Sequence, residues 1–324
     1  MPSASEWKVP ASVQPKPEDY AYDLDAALSA VVGIRALIPG DAFTAETLGT
    51  ERAGNGVLIR ADGLVLTIGY LVTEAETIWL TLIDGRAVPG TVLAYDQATG
   101  FGLVQPLAKL GVRPLARGSA GSCRIGENVV IAGHGGRARA LRATVFAKRE
   151  FAGYWEYVLD EAIYTAPAHP QWGGAALIGS DGRLLAIGSL LVQEKVDGGM
   201  LQGNMLIPID YLEPIFDDML KLGRPRREAR PWLGMYTTEA GPKLVVAGVA
   251  SGTPADRAGV KVGDVVVEVA GEKPAGLADL WRRVWRLGPA GTLVSLKVLR
   301  KSALVDIAVH SGDRNDFLKK PHLH

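Results

Sequence analysis

The 324-residue sequence is poor in several features that mark particular classes of protein. It has one cysteine, Cys123, so no disulfide can form within the chain. Its 35 basic and 35 acidic residues balance, which removes the electrostatic argument for nucleic acid or an anionic membrane as a partner. No apolar run reaches the ~20 residues that a membrane-spanning helix needs. Residues 1–8 lack a basic start followed by an apolar run, so we expect a cytoplasmic location, or a periplasmic one if a leader was removed.

Glycine (39 residues) and proline (19 residues) are plentiful, and they separate short runs of β-forming residues between positions 54 and 208. The clearest runs lie at 57–59, 64–67, 77–82 and 91–95. Asp-Gly pairs follow or precede such runs at 62–63, 84–85 and 181–182, which is typical of hairpin turns. Strands at this spacing indicate a barrel or a sandwich.

The pattern divides the chain into five segments. Residues 209–221 favour a short amphipathic helix, interrupted by Pro214, and a proline- and arginine-rich stretch follows it. The basic residues of that stretch are interpreted as a solvated hinge. We expect an N-terminal arm (1–25), a first domain (26–221), a linker (222–230), a second domain (231–313) and a tail (314–324).

Four segments of the first domain resemble the protease domain of the HtrA/Deg family. They are GNGVLI at 54–59 with ADGLVLT at 61–67, DGR at 84–86 with VLAYD at 92–96, GENVVIAG at 126–133, and the glycine pair 173–174 with DG at 181–182. Each motif is weak alone, but their order and spacing match the family. The resemblance implies a trypsin-like (chymotrypsin-like) double β-barrel.

The second domain resembles a PDZ domain more closely. WLGM at 232–235 is similar to the carboxylate-binding loop of these domains, and SGTPADRAG at 251–259 with GDVV at 263–266 is highly specific to them. A helix over 277–287 fits the same family. The two resemblances cover about residues 28–312, and they imply a mostly β chain in which a double barrel precedes an α+β PDZ domain.

The positions that carry catalysis in the family are all different here. Serine-protease chemistry needs a hydroxyl nucleophile, an imidazole base and a carboxylate that orients the base. The resemblance places Tyr70 where the family has His, Gly100 where it has Asp, and Trp172 where it has the nucleophilic Ser. A phenol with a pKa near 10 is a poor base at neutral pH, and an indole is no nucleophile. We therefore expect a catalytically degenerate protein, a pseudoprotease.

Substitute catalytic groups are scarce. His169 lies three residues before Trp172 and is a weak candidate for a displaced base, but it has no evident nucleophile. Asp96, His134 and Cys123 are interpreted as structural, the cysteine as a small buried hydrophobe. The remaining histidines, His310, His322 and His324, lie in or after the second domain. No spaced cluster of metal ligands and no phosphate-binding loop is visible, so no metal or cofactor is expected.

The PDZ resemblance implies a peptide-binding groove. A PDZ domain adds a peptide beside an exposed strand and holds its terminal carboxylate with adjacent backbone N–H groups. The residues implied for the loop and its flank are Arg230, Trp232, Leu233, Gly234 and Met235, and those for the helical wall are Leu280, Arg283 and Val284. Trp281 and Trp285, spaced i,i+4, are interpreted as core or interface residues.

Three functions remain open at this point. The preferred one is a scaffold or regulator that lacks the triad and binds C-terminal peptides or proteins through its PDZ domain. The second is an active serine endopeptidase with a rearranged site, and the third is a structural subunit of an assembly. The family resemblance also implies a homotrimer, for which Tyr20 and Tyr22 are candidate aromatic anchors.

Overall fold

The computed structural model describes residues 8–196 and 199–319, and His322 and His324 therefore lie outside the described residues. The chain divides into two compact units. Among the described residues, the first contains 8–149, 161–226 and Lys319, and the second contains 150–160 and 227–318. The segment 150–160 thus belongs to the second unit, although the sequence analysis assigned it to the first domain.

The first unit begins with a closed barrel of six antiparallel strands in the order β1-β2-β3-β6-β5-β4. The strands are β1 Val31–Leu37, β2 Glu51–Leu58, β3 Val65–Ile68, β4 Thr77–Thr81, β5 Ala87–Tyr95 and β6 Phe101–Pro106. Val57, Leu66 and Leu103 are fully buried, as expected for side chains that face the inside of a barrel. Gly63 (φ +102°) closes the turn between β2 and β3 in a conformation that favours glycine.

A second closed barrel follows, with strand order β10-β11-β12-β9-β8-β7. The strands are β7 Asn128–Ala132, β8 Ala140–Gly153, β9 Tyr157–Ala166, β10 Ala176–Ile178, β11 Leu184–Val196 and β12 Gly199–Pro208. Its core combines Cys123, Ile131 and Val145 with Leu177 and Leu206. The ends of β8 and β9 that are joined by a turn belong to the second unit.

Helices of the first unit are short. They are α1 Leu24–Ser29, α2 Ala45–Leu48 and α3 Phe216–Leu222, with 3-10 turns at Ala11–Val13, Pro17–Asp19, Gly69–Leu71, Ala120–Ser122, Gly136–Arg139, Ile209–Tyr211 and Glu213–Ile215. The continuous helix predicted over 209–221 is wrong, because the α-helix starts only after Pro214. In the arm, Val9 is buried and its N–H donates to the Ala138 carbonyl, so the arm is anchored at this residue.

The second unit contains a five-stranded sheet in the order β13-β14-β15-β16-β17. Its elements are β13 Met235–Ala240, β14 Lys243–Val249, α4 Pro254–Arg257, β15 Val265–Val269, α5 Leu277–Arg286, β16 Leu293–Arg300, β17 Ala303–His310 and a 3-10 turn Arg314–Asp316. Strand β13 lies at the edge of this sheet. The core joins Leu280, Trp281 and Val284 of α5 to buried strand residues.

The predicted fold class, a double β-barrel followed by an α+β PDZ domain, is confirmed. Residues 277–286 form the helix expected in the second domain. Over residues 8–196 and 199–319, no helix has the length and apolar character needed to cross a bilayer.

Candidate functional site

Tyr70 lies in the 3-10 turn that follows β3, and its side chain is held on two sides. Its hydroxyl donates to the Ser189 carbonyl at 2.9 Å. It also shares a hydrogen bond with the Trp172 side chain, in which the indole N–H must be the donor. Burial raises the pKa of the Tyr70 phenol well above its usual value, and the bond from Trp172 only partly offsets this rise. The phenol is therefore protonated at neutral pH and cannot serve as a base.

Gly100 lies beside the same turn. Its carbonyl accepts a hydrogen bond from the Gly69 N–H at 2.7 Å, and its own N–H donates to the Asp96 carbonyl at 2.8 Å. The buried Asp96 carboxylate accepts from the backbone and the hydroxyl of Thr99, at 2.9 and 2.8 Å. Asp96 therefore closes its own turn, as expected for a structural residue, and Gly100 brings no side chain to Tyr70.

The loop that contains Trp172 is tied to strand β2 through Asn55. The Asn55 N–H and side-chain amide both donate to the Gly173 carbonyl, at 2.8 and 3.1 Å, and the amide also donates to the Gln171 carbonyl at 2.8 Å. Gly174 follows at φ +75°, where an added Cβ would lie 1.8 Å from the Asn55 carbonyl oxygen. The structure thus brings Tyr70 and Trp172 together and holds the loop in one conformation.

His169 is buried, and its ring nitrogens and backbone N–H all form hydrogen bonds within the first unit. Its Nδ1 accepts from the Gln171 N–H at 3.1 Å, which leaves the proton on Nε2, and Nε2 lies 2.9 Å from the Arg139 carbonyl. The Asn204 side chain accepts from the His169 N–H at 2.6 Å. Burial lowers the pKa of the imidazole. Both ring nitrogens are therefore engaged, and His169 does not offer a free lone pair for general base catalysis.

The other candidate groups are also placed by packing. Cys123 is buried in the second barrel, and burial raises the pKa of its thiol to about 11, which makes it unreactive at neutral pH. The His134 N–H donates to the Asn55 side chain at 2.8 Å. His310 is exposed on β17. Within the described ranges no group of three or more His, Cys, Asp or Glu residues is arranged to hold a metal ion.

In the second unit, the loop before β13 directs three consecutive N–H groups to one carboxylate. Leu233, Gly234 and Met235 donate to the Glu156 side chain, with shortest N···O distances of 3.0, 2.7 and 3.3 Å. Gly234 has φ +78°, a conformation that suits glycine and helps to turn these groups inward. The three N–H groups thus converge on one carboxylate, and that carboxylate belongs to the same polypeptide.

The remaining residues implied for the groove are engaged in other contacts of the second unit. Trp232 pairs with Gly312 through backbone hydrogen bonds, and its ring packs on Phe317 at a centroid distance of 4.8 Å. The Arg230 guanidinium lies 4.4 Å above the centre of the Trp285 ring. Arg283 forms ion pairs with Asp279 and Glu272. Leu280 and Val284 are fully buried in the PDZ core, in the same cluster as Val158.

Glu156 is not among the site residues predicted from the sequence. The residue has φ +59° at the end of a turn between two strands, where glycine or asparagine is the usual choice, and it is only 6% exposed. Burial raises the pKa of its carboxyl to about 7, against the opposing effects of the three backbone hydrogen bonds and of the positive charge of Arg314. The available signal was the aromatic tip Tyr154-Trp155 beside a charged residue, but no local pattern connects it to a loop 78 residues away.

Comparison with known proteins agrees with this architecture. Residues 54–187 match the trypsin-like peptidase domain, and residues 231–310 match the PDZ domain. The chain thus combines a trypsin-like peptidase domain with a PDZ domain that follows it. A solved structure described as the HtrA-type protease AlgW with tripeptide superimposes with a TM-score of 0.52 at 21% identity, covering 92% of this chain and 97% of that one. At that identity the likeness concerns the fold alone.

Two curated relatives of this chain are named as proteases. The probable periplasmic serine endoprotease DegP-like of Hahella chejuensis is 27% identical over 280 residues, which cover 81% of this chain and 57% of the relative. The serine protease PepD of Mycobacterium tuberculosis is 26% identical over 288 residues, which cover 80% of this chain and 61% of the relative. This chain thus spans somewhat more than half the length of these relatives.

Proposed function

We propose that this protein is non-proteolytic and binds peptide or protein chains through its PDZ domain, as a scaffold or regulator. The observation that carries the first half is the environment of Tyr70. Its protonated hydroxyl is bonded to the Ser189 carbonyl and to Trp172, at the position that the family resemblance assigns to the catalytic pair. Hydrolysis through an acyl-enzyme needs a nucleophile and a base at this place, and these two side chains supply neither.

The second half rests on the loop before β13. Three convergent N–H groups form a receptor for a carboxylate, and the edge strand β13 is suited to pairing with an extended chain. A glycine in the left-handed region allows this loop to approach its ligand closely. The geometry therefore supports recognition of acidic or C-terminal groups, independently of what occurs in the barrels.

The test of the first half is covalent labelling of the full chain with a fluorophosphonate probe, together with incubation with unfolded casein. We expect neither adduct nor cleavage, because the probe reacts only with a serine activated by a neighbouring base. An adduct that maps to one serine, lost when that serine is changed to alanine, would establish the alternative of an active endopeptidase. The names of the curated relatives favour that alternative.

Location and assembly are part of the same proposal. The predicted cytoplasmic location gains no support from the relatives, whose names place several of them in the periplasm, so a periplasmic location is the better proposal. The homotrimer stays a prediction. Tyr22 packs against Gly182 of its own chain, and its ring centre lies 5.3 Å from that of Tyr20. Light scattering that gives the mass of three chains would support the trimer, and the mass of one chain would exclude it.

A further inference from the structure

We infer that residues 150–160, the hairpin tip, act as a built-in ligand that fills the peptide groove of the PDZ domain and must withdraw before an external carboxylate can bind. The inference rests on the proposed peptide-binding function, and it adds how that function is controlled. The hairpin tip connects β8 to β9 and is grouped with the PDZ residues rather than with the barrels.

The first contact is the carboxylate itself. Glu156 accepts from three consecutive N–H groups of the loop 233–235, which is the arrangement expected for the terminal carboxylate of a peptide. An external carboxylate and Glu156 would need the same three donors, so the two cannot be bound at the same time.

The next contacts lie on the two walls of the groove. On the strand side, the Thr237 N–H of β13 donates to the Tyr154 carbonyl at 2.9 Å, as it would to an added peptide strand. On the helix side, the buried Trp281 indole of α5 donates to the Gly153 carbonyl at 3.2 Å. The hairpin tip is therefore bonded to the loop, the edge strand and the helix, which together define a PDZ groove.

Side chains complete the fit. Val158 is buried in the PDZ core cluster, and Ala152 packs against it. The Tyr154 ring meets the Tyr236 ring of β13 edge-on, with centroids 5.9 Å apart. At the base of the tip, Arg282 of α5 forms ion pairs with both Glu150 and Asp160, one from each strand. The hairpin tip is therefore held by buried apolar side chains and by two exposed ion pairs. A substitution can remove the ion pairs without disturbing the core.

The conformation of Glu156 adds an independent reason. Residues other than glycine seldom adopt a φ near +59°, and here that conformation directs a charged side chain into a buried loop. A turn that served only to connect two strands would favour glycine or asparagine at this position. The hairpin tip thus presents a carboxylate to the groove although this requires an unfavourable backbone conformation at Glu156.

Because the hairpin tip is part of the same chain, it lowers the apparent affinity of the groove for external peptides. A segment of the same chain competes at a high effective concentration, so an external ligand binds only the fraction of molecules whose hairpin tip is withdrawn. The ligand class that can compete must bring a carboxylate of its own. We expect the intact protein to bind C-terminal peptides weakly and to gain affinity when the hairpin tip is weakened.

The experiment uses the full chain and fluorescence anisotropy. The probes are two pools of fluorescein-labelled octapeptides that end in Val, Leu or Phe with the other positions randomised, one pool with a free C-terminus and one amidated. E156G removes the competing carboxylate and suits the positive φ, while R282Q removes only the exposed ion pairs. E161Q is the matched control, because Glu161 lies on β9 next to the tip and pairs with Lys148 instead.

We expect E156G to bind the free-carboxylate pool about ten- to a hundredfold more tightly than the wild type, R282Q to gain severalfold, and E161Q to be unchanged. The amidated pool should gain nothing. Equal and tight binding by all four proteins would show that the groove is open, which overturns the inference and leaves the proposed function intact. Weaker binding by E156G would make Glu156 a support of the groove and would also overturn the inference. Absence of binding in every protein would overturn both.

Discussion

The site of Tyr70, Gly100 and Trp172 in the barrels, here called the cleft, and the PDZ groove around Gly234 both contain the protein's own side chains, but in different ways. In the cleft, the occupying groups are Tyr70 and Trp172, which arise from the elements that build the cleft. In the groove, the occupying group is Glu156, which comes from a hairpin 78 residues away in sequence. The first arrangement is part of the fold, whereas the second is a contact between a receptor loop and a removable segment.

This difference has separate consequences for catalysis in the cleft and for peptide binding in the groove. The cleft could regain a nucleophile only by substitution, because its polar groups are held by backbone bonds such as those from Asn55 to Gly173. The groove keeps its three convergent donors and needs only the departure of one carboxylate. The proposed loss of catalysis thus lies in the sequence, whereas the proposed control of peptide binding is a conformational equilibrium.

The largest effect that sharpens this comparison concerns two glycines in the same left-handed conformation. In the cleft, G174A would place a Cβ 1.8 Å from the Asn55 carbonyl oxygen, whereas in the PDZ domain G252A, at φ +70°, would meet no atom within 4 Å. We expect G174A to lower stability by about 4 kcal/mol or more, and G252A by about 1 kcal/mol from backbone strain alone. Urea unfolding of the two variants would measure the difference.

Equal losses for the two variants would contradict the account, since they would mean that the Trp172 loop can move away from β2. The same crowding argument changes the use of Gly234. A Cβ there would lie 2.4 Å from Thr253, so a substitution such as G234V would test folding rather than the approach of a peptide.

The next effect concerns catalysis. The triple variant Y70H, G100D and W172S restores the residue types of the triad, but Gly100 has φ +81° and the loop remains bonded to Asn55. Oxyanion donors must sit within roughly 2.7–3.1 Å of the developing charge, and a missing donor costs about 10²–10³ in turnover. We expect casein hydrolysis to stay at least about 10²-fold below that of an active relative. Full activity would show that the loop already has the productive shape.

Sequence reasoning predicted what local patterns encode. The Asp62-Gly63 turn and the short strands follow from turn chemistry and runs of β-forming residues. The two domain types and the helix at 277–286 follow from family motifs of fixed spacing. The contacts of Asn55 with the loop at Gly173 and of Glu156 with the loop at Gly234 are separated by 118 and 78 residues, and no periodicity specifies them. Tertiary packing alone determines that Asn55 and Glu156 contact these distant loops.

The pH dependence of peptide binding tests the docking of Glu156 in the groove without a substitution. Burial raises the pKa of the docked Glu156 carboxyl to about 7 from 4.5, so the docked hairpin tip binds protons more tightly than the withdrawn one. Docking is therefore strongest at low pH and weakens as the pH rises through 7. We expect the wild type to bind the free-carboxylate pool roughly tens of fold more tightly at pH 8 than at pH 5. A similar dependence in E156G would assign it to another titratable group and would contradict the role given to Glu156.

The smallest effect compares one hydroxyl in each region. Y70F removes the group that joins the Ser189 carbonyl to Trp172, which should lower stability by about 1 kcal/mol. Y154F is the control on the hairpin tip, where the tyrosine is 54% exposed, and we expect less than about 0.5 kcal/mol. Thermal unfolding would compare the two, and a larger loss for Y154F would contradict the assignment of Tyr70 to the fixed interior of the cleft.

The most direct measurement follows binding and cleavage in the same tube. E156G is mixed with the free-carboxylate octapeptide pool, anisotropy reports binding, and mass spectrometry reports the length of every peptide after a day at neutral pH. The account predicts that the peptides are bound and remain intact, because the groove is freed while Tyr70 and Trp172 still fill the cleft. Bound peptides that are shortened, in a preparation that also labels at one serine, would contradict it.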